Sequence, residues 1–491
     1  MNAPLHRELP PDLLDDAQAL AHVSAQWDGD IVGQLRSYIQ VPAKSPGFDA
    51  QWASHGYLEL VARNAAAWVE AQRVAGLRLE IVRLPGRTPL LFFEVEATRS
   101  GNSSQTVLMY GHLDKQPEFT GWRNGLGPWS PHLEDGRLYG RGGADDGYAV
   151  YASIAALQAL KAQGLPHPRI VGVIETCEES GSRDLLPYID ALRDRLGDVA
   201  LVVCLDSGAG NYDQLWLTTS LRGTVAGTLK VEVLTEGVHS GDASGLVPSS
   251  FRIMRQVLDR LEDSATGRLL PAGFHCEVPP ERLAQAQATA AILGDEITRR
   301  FPWAQHDCEG SRNCVLPTTT DPVQALLNRT WNPTLSVTGA EGFPALADAG
   351  NVLRPYSAFK LSLRLPPLVD AAQAVQQMKT LLEDNAPYQA RVTFESQNCS
   401  NGWNAPSLAP WLEQALHGAS QAQFGADCGY IGQGGTIPLM NMLERGFPKA
   451  QMMVCGVLGP RSNAHGPNEF LHIPYAKKLT ACVARVIASM P

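Results

Sequence analysis

Apolar positions along this chain form two kinds of run, and the change from one kind to the other divides it. Continuous apolar blocks at 79–84, 90–95, 106–109, 170–174 and 199–205 predict strands, the later ones buried on both faces. Between and before them, apolar spacings of three and four predict helices over 31–39, 57–75 and 147–162, the first ended by Val41-Pro42. Residues 1–30 are expected to be helical in pieces, and a turn-rich loop is expected over 115–141. Strands alternating with helices predict an α/β fold, a mostly parallel sheet covered by helices.

After Arg222 the pattern becomes strict alternation. Val225, Gly227, Leu229, Val231 and Val233 share one parity, as do Leu361, Leu363 and Leu365, which predicts a sheet with one solvated face. With helices expected over 249–261 and 371–382 and a last strand at 392–394, this stretch reads as an α+β insert. From Pro410 the α/β pattern resumes with a helix, a glycine-rich turn, a strand at 452–457 and a helix at 475–490. The predicted organisation is a first domain of 1–222 and 398–491, interrupted by an inserted domain of 223–397.

Length agrees with more than one core, since 491 residues exceed what a single core usually organises. A net charge of −10 with no offsetting basic stretch argues against a nucleic-acid partner. The 9 cysteines are dispersed, with no Cys-x-x-Cys pair, so zinc-finger and thioredoxin-like chemistry is not indicated and a reducing cytoplasm is expected. No apolar run approaches the roughly 20 residues that span a bilayer, so no membrane association is expected.

The chemistry gathers just past the buried blocks, where open α/β sheets bind ligands. His112 and Asp114 follow the third block, Asp145 lies in Gly140-Arg141-Gly142-Gly143-Ala144-Asp145-Asp146, and Glu178-Glu179 and Asp206 follow the next two. His465, in Asn463-Ala464-His465-Gly466-Pro467-Asn468-Glu469, follows the last strand. Imidazoles and carboxylates suit a divalent ion. Carboxylates this close repel one another without a cation, and five groups are more than one ion needs, so two ions sharing a carboxylate is the economical reading. Of two adjacent glutamates, one can bind metal while the other accepts a proton from water.

Tyr-Gly-His-Leu-Asp, Leu-Tyr-Gly-Arg-Gly-x-x-Asp-Asp, Glu-Glu-Ser-Gly-Ser and Ala-His-x-x-Asn-Glu occur here in order. The chain thereby resembles the M20 family of di-metal peptidases, most closely the cytosolic dipeptidase and carnosinase-like branch. The resemblance implies that His112 and Asp206 hold one ion and Glu179 and His465 the other, with Asp145 bridging them. It implies Glu178 as general base and then acid, Asp114 as the carboxylate orienting His112, and a metal-bridged hydroxide attacking a small amide with a free carboxylate. Two divalent ions per subunit are implied, zinc foremost, with manganese or cobalt as alternatives. The inserted domain is implied to act as a lid and to make a homodimer, its His239 reaching a partner subunit's site. Arg364, in Leu361-Ser362-Leu363-Arg364-Leu365-Pro366, matches an arginine that clamps the substrate carboxylate. Gly435 and Thr436 match a loop contacting the substrate terminus, and Asn351 stands where a threonine is usual. Strict strand alternation, however, also fits Arg364 as a solvated strand residue.

The chain departs from the family pattern at Gly147, where a lysine is expected, and at Asn351, Trp403 and Gln433. These departures bear on the substrate, so an N-acyl or carbamoyl amino acid is the alternative to a dipeptide. A non-catalytic binding protein of the same fold is a third reading, disfavoured by the complete ligand set with Glu178. His55, His132, His275, His306, His417 and His472 lack ligand-like neighbours and are expected to be structural, as is Cys177.

Overall fold

The computed structural model describes residues 14–99, 105–304, 315–436 and 438–491, so the expectations for residues 1–13 and for His306 lie outside it. The chain forms two compact units. One comprises residues up to Thr218 with Pro406–Ile431 and Met442–Pro491, and the other comprises Thr219–Ala405 with Gly432–Asn441.

The first unit is built on a six-stranded sheet. Its strands run in the order Leu77–Val82, Leu90–Val95, Arg169–Glu175, Gln105–His112, Asp198–Cys204 and Gln451–Val454. The last four are mutually parallel, and the first two join antiparallel at one edge. The Gln105–His112 strand is buried from Thr106 to its end, because neighbours pair with it on both sides. Leu77–Val82, at the edge, alternates instead between half-buried and exposed positions at its start. Helices Asp16–Gln26, Ala149–Ala162, Pro410–Phe424 and Ile473–Ala488 pack on one another. The last begins on Pro474, and the His472 side chain caps it by accepting from the Tyr475 amide at 3.2 Å. The expected loop over 115–141 contains a small hairpin, His132–Glu134 with Arg137–Tyr139.

The second unit holds a four-stranded antiparallel sheet in the order Thr334–Glu341, Tyr356–Leu365, Gly223–Glu232 and Arg391–Ser400. Val225, Leu229 and Val231 share a buried face with Leu361, Leu363 and Leu365. Ile253, Met254 and Val257 of helix Ser250–Leu258, and Ala374, Met378 and Leu382 of helix Ala371–Glu383, close that face. Two strands are more extended than the hydrophobic pattern predicts. Thr334–Glu341 is exposed along most of its length, and Arg391–Ser400 turns polar and exposed after Phe394. Backbone pairing alone carries them there.

Gly172 shows how closely the first sheet is packed. A Cβ at Gly172 would sit 2.0 Å from a ring carbon of Phe93 on the neighbouring strand. Gly172→Ala is therefore expected to overpack the sheet at a cost of about 1–3 kcal/mol. Gly33→Ala, in a helix with nothing within 4 Å of the added carbon, should instead stabilise by up to about 1 kcal/mol. Thermal midpoints of the two variants should move in opposite directions; a Gly172→Ala protein as stable as the parent would contradict the packing.

Candidate metal centre

Strand ends deliver His112, Asp206 and the glutamate pair, and loops deliver Asp145 and His465. His112 is the last residue of its strand and is paired in register with Glu175. Asp206 lies two residues past Cys204, and Glu178-Glu179 open a single helical turn after Arg169–Glu175. Asp145 sits in the turn Gly143–Gly147 that precedes helix Ala149–Ala162. His465 adopts a left-handed backbone, φ 66°, in a loop where Arg461, Asn463 and Asn468 do the same.

These groups converge. Asp145 turns one oxygen to the His112 Nε2 at 3.3 Å and the other to the His465 Nε2 at 3.0 Å. Asp206 lies 3.8 Å from the His112 Nε2, and Glu179 lies 3.3 Å from the His465 Nε2. Ligand atoms of His112, Asp145 and Glu179, and of His112, Glu178 and Asp206, are close enough to share an ion. The His112 Nδ1 faces the main-chain oxygen of Asp114 at 3.1 Å, which places its hydrogen there and leaves Nε2 bare. That Nε2 is buried with no hydrogen-bond partner. Ligand distances of about 2.0–2.2 Å set neighbouring donors in a tetrahedral shell roughly 3.4 Å apart. The residues therefore fit divalent ions by donor chemistry and by spacing.

Electrostatics point the same way. Burial pushes the Glu179 carboxyl up to about 8, with Asp145 adding to the rise and His465 opposing it. Asp206 is raised to about 6 by burial, against the pull of His112. Glu178 is raised by burial and by Asp206. Asp145 moves the other way: burial opposes its charge, but the two imidazoles facing its oxygens hold it below the usual carboxylate range. His465 is more than half exposed; burial opposes its charge, and Glu179 and Asp145 outweigh that, drawing it to about 9. Without a cation the cluster must borrow protons to coexist.

Surrounding contacts fix the cluster, and several were not legible as motifs. The Asp114 carboxylate lies 3.5 Å from the His112 Nδ1, and its two oxygens accept from the Glu178 amide at 3.1 Å and the Glu179 amide at 3.0 Å. It thus anchors the glutamate turn, while its main-chain oxygen orients the imidazole. The Gln116 side-chain amide donates to Glu179 at 2.6 Å. Arg141 and Glu469 form a fully buried ion pair, and Arg141 also donates to the main-chain oxygens of His465 and Gly466, each at 2.9 Å. Lys115 is buried and donates to the carbonyls of Tyr38 at 2.7 Å and Val41 at 2.8 Å, tying the end of helix Val32–Ile39 beside the His112 loop. The departure at Gly147 has a steric cause: a Cβ there would lie 2.2 Å from the Tyr38 ring, whose hydroxyl donates to Leu113 O at 3.0 Å. Trp403 is buried, as is Cys177.

The remaining sequence-predicted residues lie in the second unit, in two groups. His239 is exposed and pairs in register with Val352, and Ser240 N donates to Asn351 O at 2.9 Å, so His239 and Asn351 are neighbours. Arg364 is half-buried on the polar parity of its strand, and its Nη1 donates to the Thr436 hydroxyl at 3.4 Å. Gly435 is exposed beside it in sequence. No helix among the described residues is long and apolar enough to cross a membrane.

Comparison with known proteins places this geometry. The chain is 27% identical to a cysteinylglycine-S-conjugate dipeptidase of Corynebacterium striatum, over 84% of this chain and 88% of that one. It is 28% identical to the human Beta-Ala-His dipeptidase, over 78% of this chain and 75% of that one. The solved structure of the dipeptidase Dug1p from Saccharomyces cerevisiae superposes with a TM-score of 0.76 at 22% identity, covering 97% of this chain and 98% of that one, and shares its fold. A family model for Peptidase family M20/M25/M40 matches residues 108–489, which include every residue of the cluster, and the chain belongs to that family.

Proposed function

We propose that this protein is a metal-dependent hydrolase that cleaves the amide bond of dipeptides or similar small substrates bearing a free carboxylate. One observation carries the reading: a single carboxylate, Asp145, faces two different imidazoles with its two oxygens, as a group shared by two ions would. The similar curated proteins are named as dipeptidases, which favours dipeptides over N-acyl or carbamoyl amino acids.

In this reading His112 and Asp206 hold one ion, Glu179 and His465 the other, and Asp145 lies between them. Zinc is the expected ion, with manganese and cobalt able to use the same donors. Bound there, the ions supply Lewis acidity and lower the pKa of water toward about 7. Glu178 is the proton carrier. Asp114 holds its main chain, so its carboxylate is presented beside His112 and Asp206, where water held by the cluster would lie. It takes a proton from water and returns it to the leaving amine. Arg364 binds the free carboxylate through its planar fork, with Thr436, Gly435 and Asn351 contacting the substrate. His239 polarises the scissile carbonyl in the site of a second subunit of a homodimer formed through the inserted unit. The described cysteines are all unpaired, in keeping with a cytoplasmic setting.

Glu178→Gln is expected to retain metal and lose about 100-fold or more in kcat on a dipeptide; a near-parental rate would remove Glu178 as the base. Chelation should abolish turnover, and adding back zinc, manganese or cobalt singly should rank the ions by restored rate. His239→Ala should lower kcat about 100-fold with metal content unchanged, and full activity would take it out of the site. Arg141→Met leaves Glu469 buried and unpaired and should cost about 3–5 kcal/mol. Adding Glu469→Leu should recover the fold but leave metal affinity about 10–100-fold weaker, because the His465 main chain stays untethered. Metal binding as tight as the parent's in that double variant would show that Arg141 serves stability alone.

A further inference from the structure

Within the second unit three guanidinium groups, those of Arg222, Arg329 and Arg364, form no ion pair with a carboxylate among the described residues. Arg222 is 8% exposed; its Nη1 donates to the Thr334 hydroxyl at 2.9 Å and its Nε to Gly434 O at 3.3 Å. Thr334 is the strand partner of Arg364, so Arg222 reaches across to the position beside Arg364. Arg329 lies at the end of helix Pro322–Thr330, and Gly434 lies close to both its main chain and the Arg222 side chain. A Cβ at Gly434 would stand 3.1 Å from the Arg222 Nη2 and 3.2 Å from Arg329 O. The Nε and Nη2 of Arg329 are buried and have no hydrogen-bond partner. Those two atoms form the edge with which a guanidinium grips a carboxylate through two parallel bonds.

The charges repel one another. Burial lowers Arg222 to about 10, with Arg364 adding to the effect, and lowers Arg329 to about 9, with Arg300 and Arg222 adding. An uncompensated buried cation is costly, and an anion bound there removes that cost. One terminal carboxylate, assigned above to Arg364, leaves the other two guanidinium groups unanswered.

We propose that Arg222 and Arg329 form a second anion position beside Arg364. The unit then takes a small dicarboxylate in preference to a monocarboxylate, and the preferred dipeptide ends in Asp or Glu. The substrate half of this inference rests on the dipeptidase reading; the anion position does not.

The test has two arms. In the first, metal-free protein is titrated calorimetrically with glutarate and with butyrate. Glutarate should bind at least about tenfold more tightly and raise the thermal midpoint, and Arg329→Gln should erase both differences. Arg222→Gln is the second variant and should erase them as well. In the second arm, the kcat/KM ratio of Ala-Glu over Ala-Gln is measured on the metal-loaded enzyme. It should be at least about tenfold and fall toward unity in Arg329→Gln. Equal binding of glutarate and butyrate by the parent protein would overturn the proposal. So would an Arg329→Gln protein that melts lower while the parent ignores glutarate, because the guanidinium would then be paired within the chain. Tight glutarate binding with neither dipeptide cleaved would leave the anion position standing and sink the dipeptidase reading instead.

Discussion

Crowded negative charge at the carboxyl end of a parallel sheet is the constraint on which the catalytic unit depends. Four carboxylates, Asp145, Glu178, Glu179 and Asp206, meet two imidazoles in a space where burial raises three of the four toward protonation. Such a cluster is an unfavourable element of any fold unless a cation joins it. Its surroundings are arranged to hold it open. Asp114 pins the glutamate turn, the Arg141–Glu469 pair pins the His465 loop, and Lys115 pins a helix end beside His112. The sheet supplies rigidity, and these contacts convert it into fixed donor positions.

His112, the glutamate pair and Asp206 were legible in the chain as candidates because each follows a block of apolar residues. Where a strand is buried on both faces, its end is marked by the first polar residue, and His112 and Asp206 are found that way. The glutamate pair becomes informative only through its place after such a block. What surrounds the ligands left almost no trace. That the Asp114 carboxylate accepts from two amides some 64 residues onward depends on tertiary approach. Lys115 reads as an ordinary loop lysine, yet it is buried against three carbonyls and the Tyr38 ring. The packing of Tyr38 against Gly147, which leaves no room for a side chain there, could not be read from the chain either.

The same contrast governs the inserted unit. Strands with one apolar face announced themselves through Val225, Leu229 and Val231 and through Leu361, Leu363 and Leu365. Thr334–Glu341 and the second half of Arg391–Ser400 did not, because edge strands with exposed side chains owe their conformation to backbone hydrogen bonds, which sequence pattern does not encode. The neighbourhood of His239 with Asn351 arises from a two-residue ladder and was likewise out of reach.

The position of His465 in the chain has a kinetic consequence. The two imidazoles that face Asp145 stand on opposite sides of the whole inserted unit in sequence, yet meet at one carboxylate in space. No local folding event can assemble the cluster; a long loop must close first, and its closing entropy precedes any reward from bound metal. A metal ion held by the cluster would thus be captured late, after that loop has closed. Ions held by the cluster would clasp together chain segments that leave and rejoin the same unit.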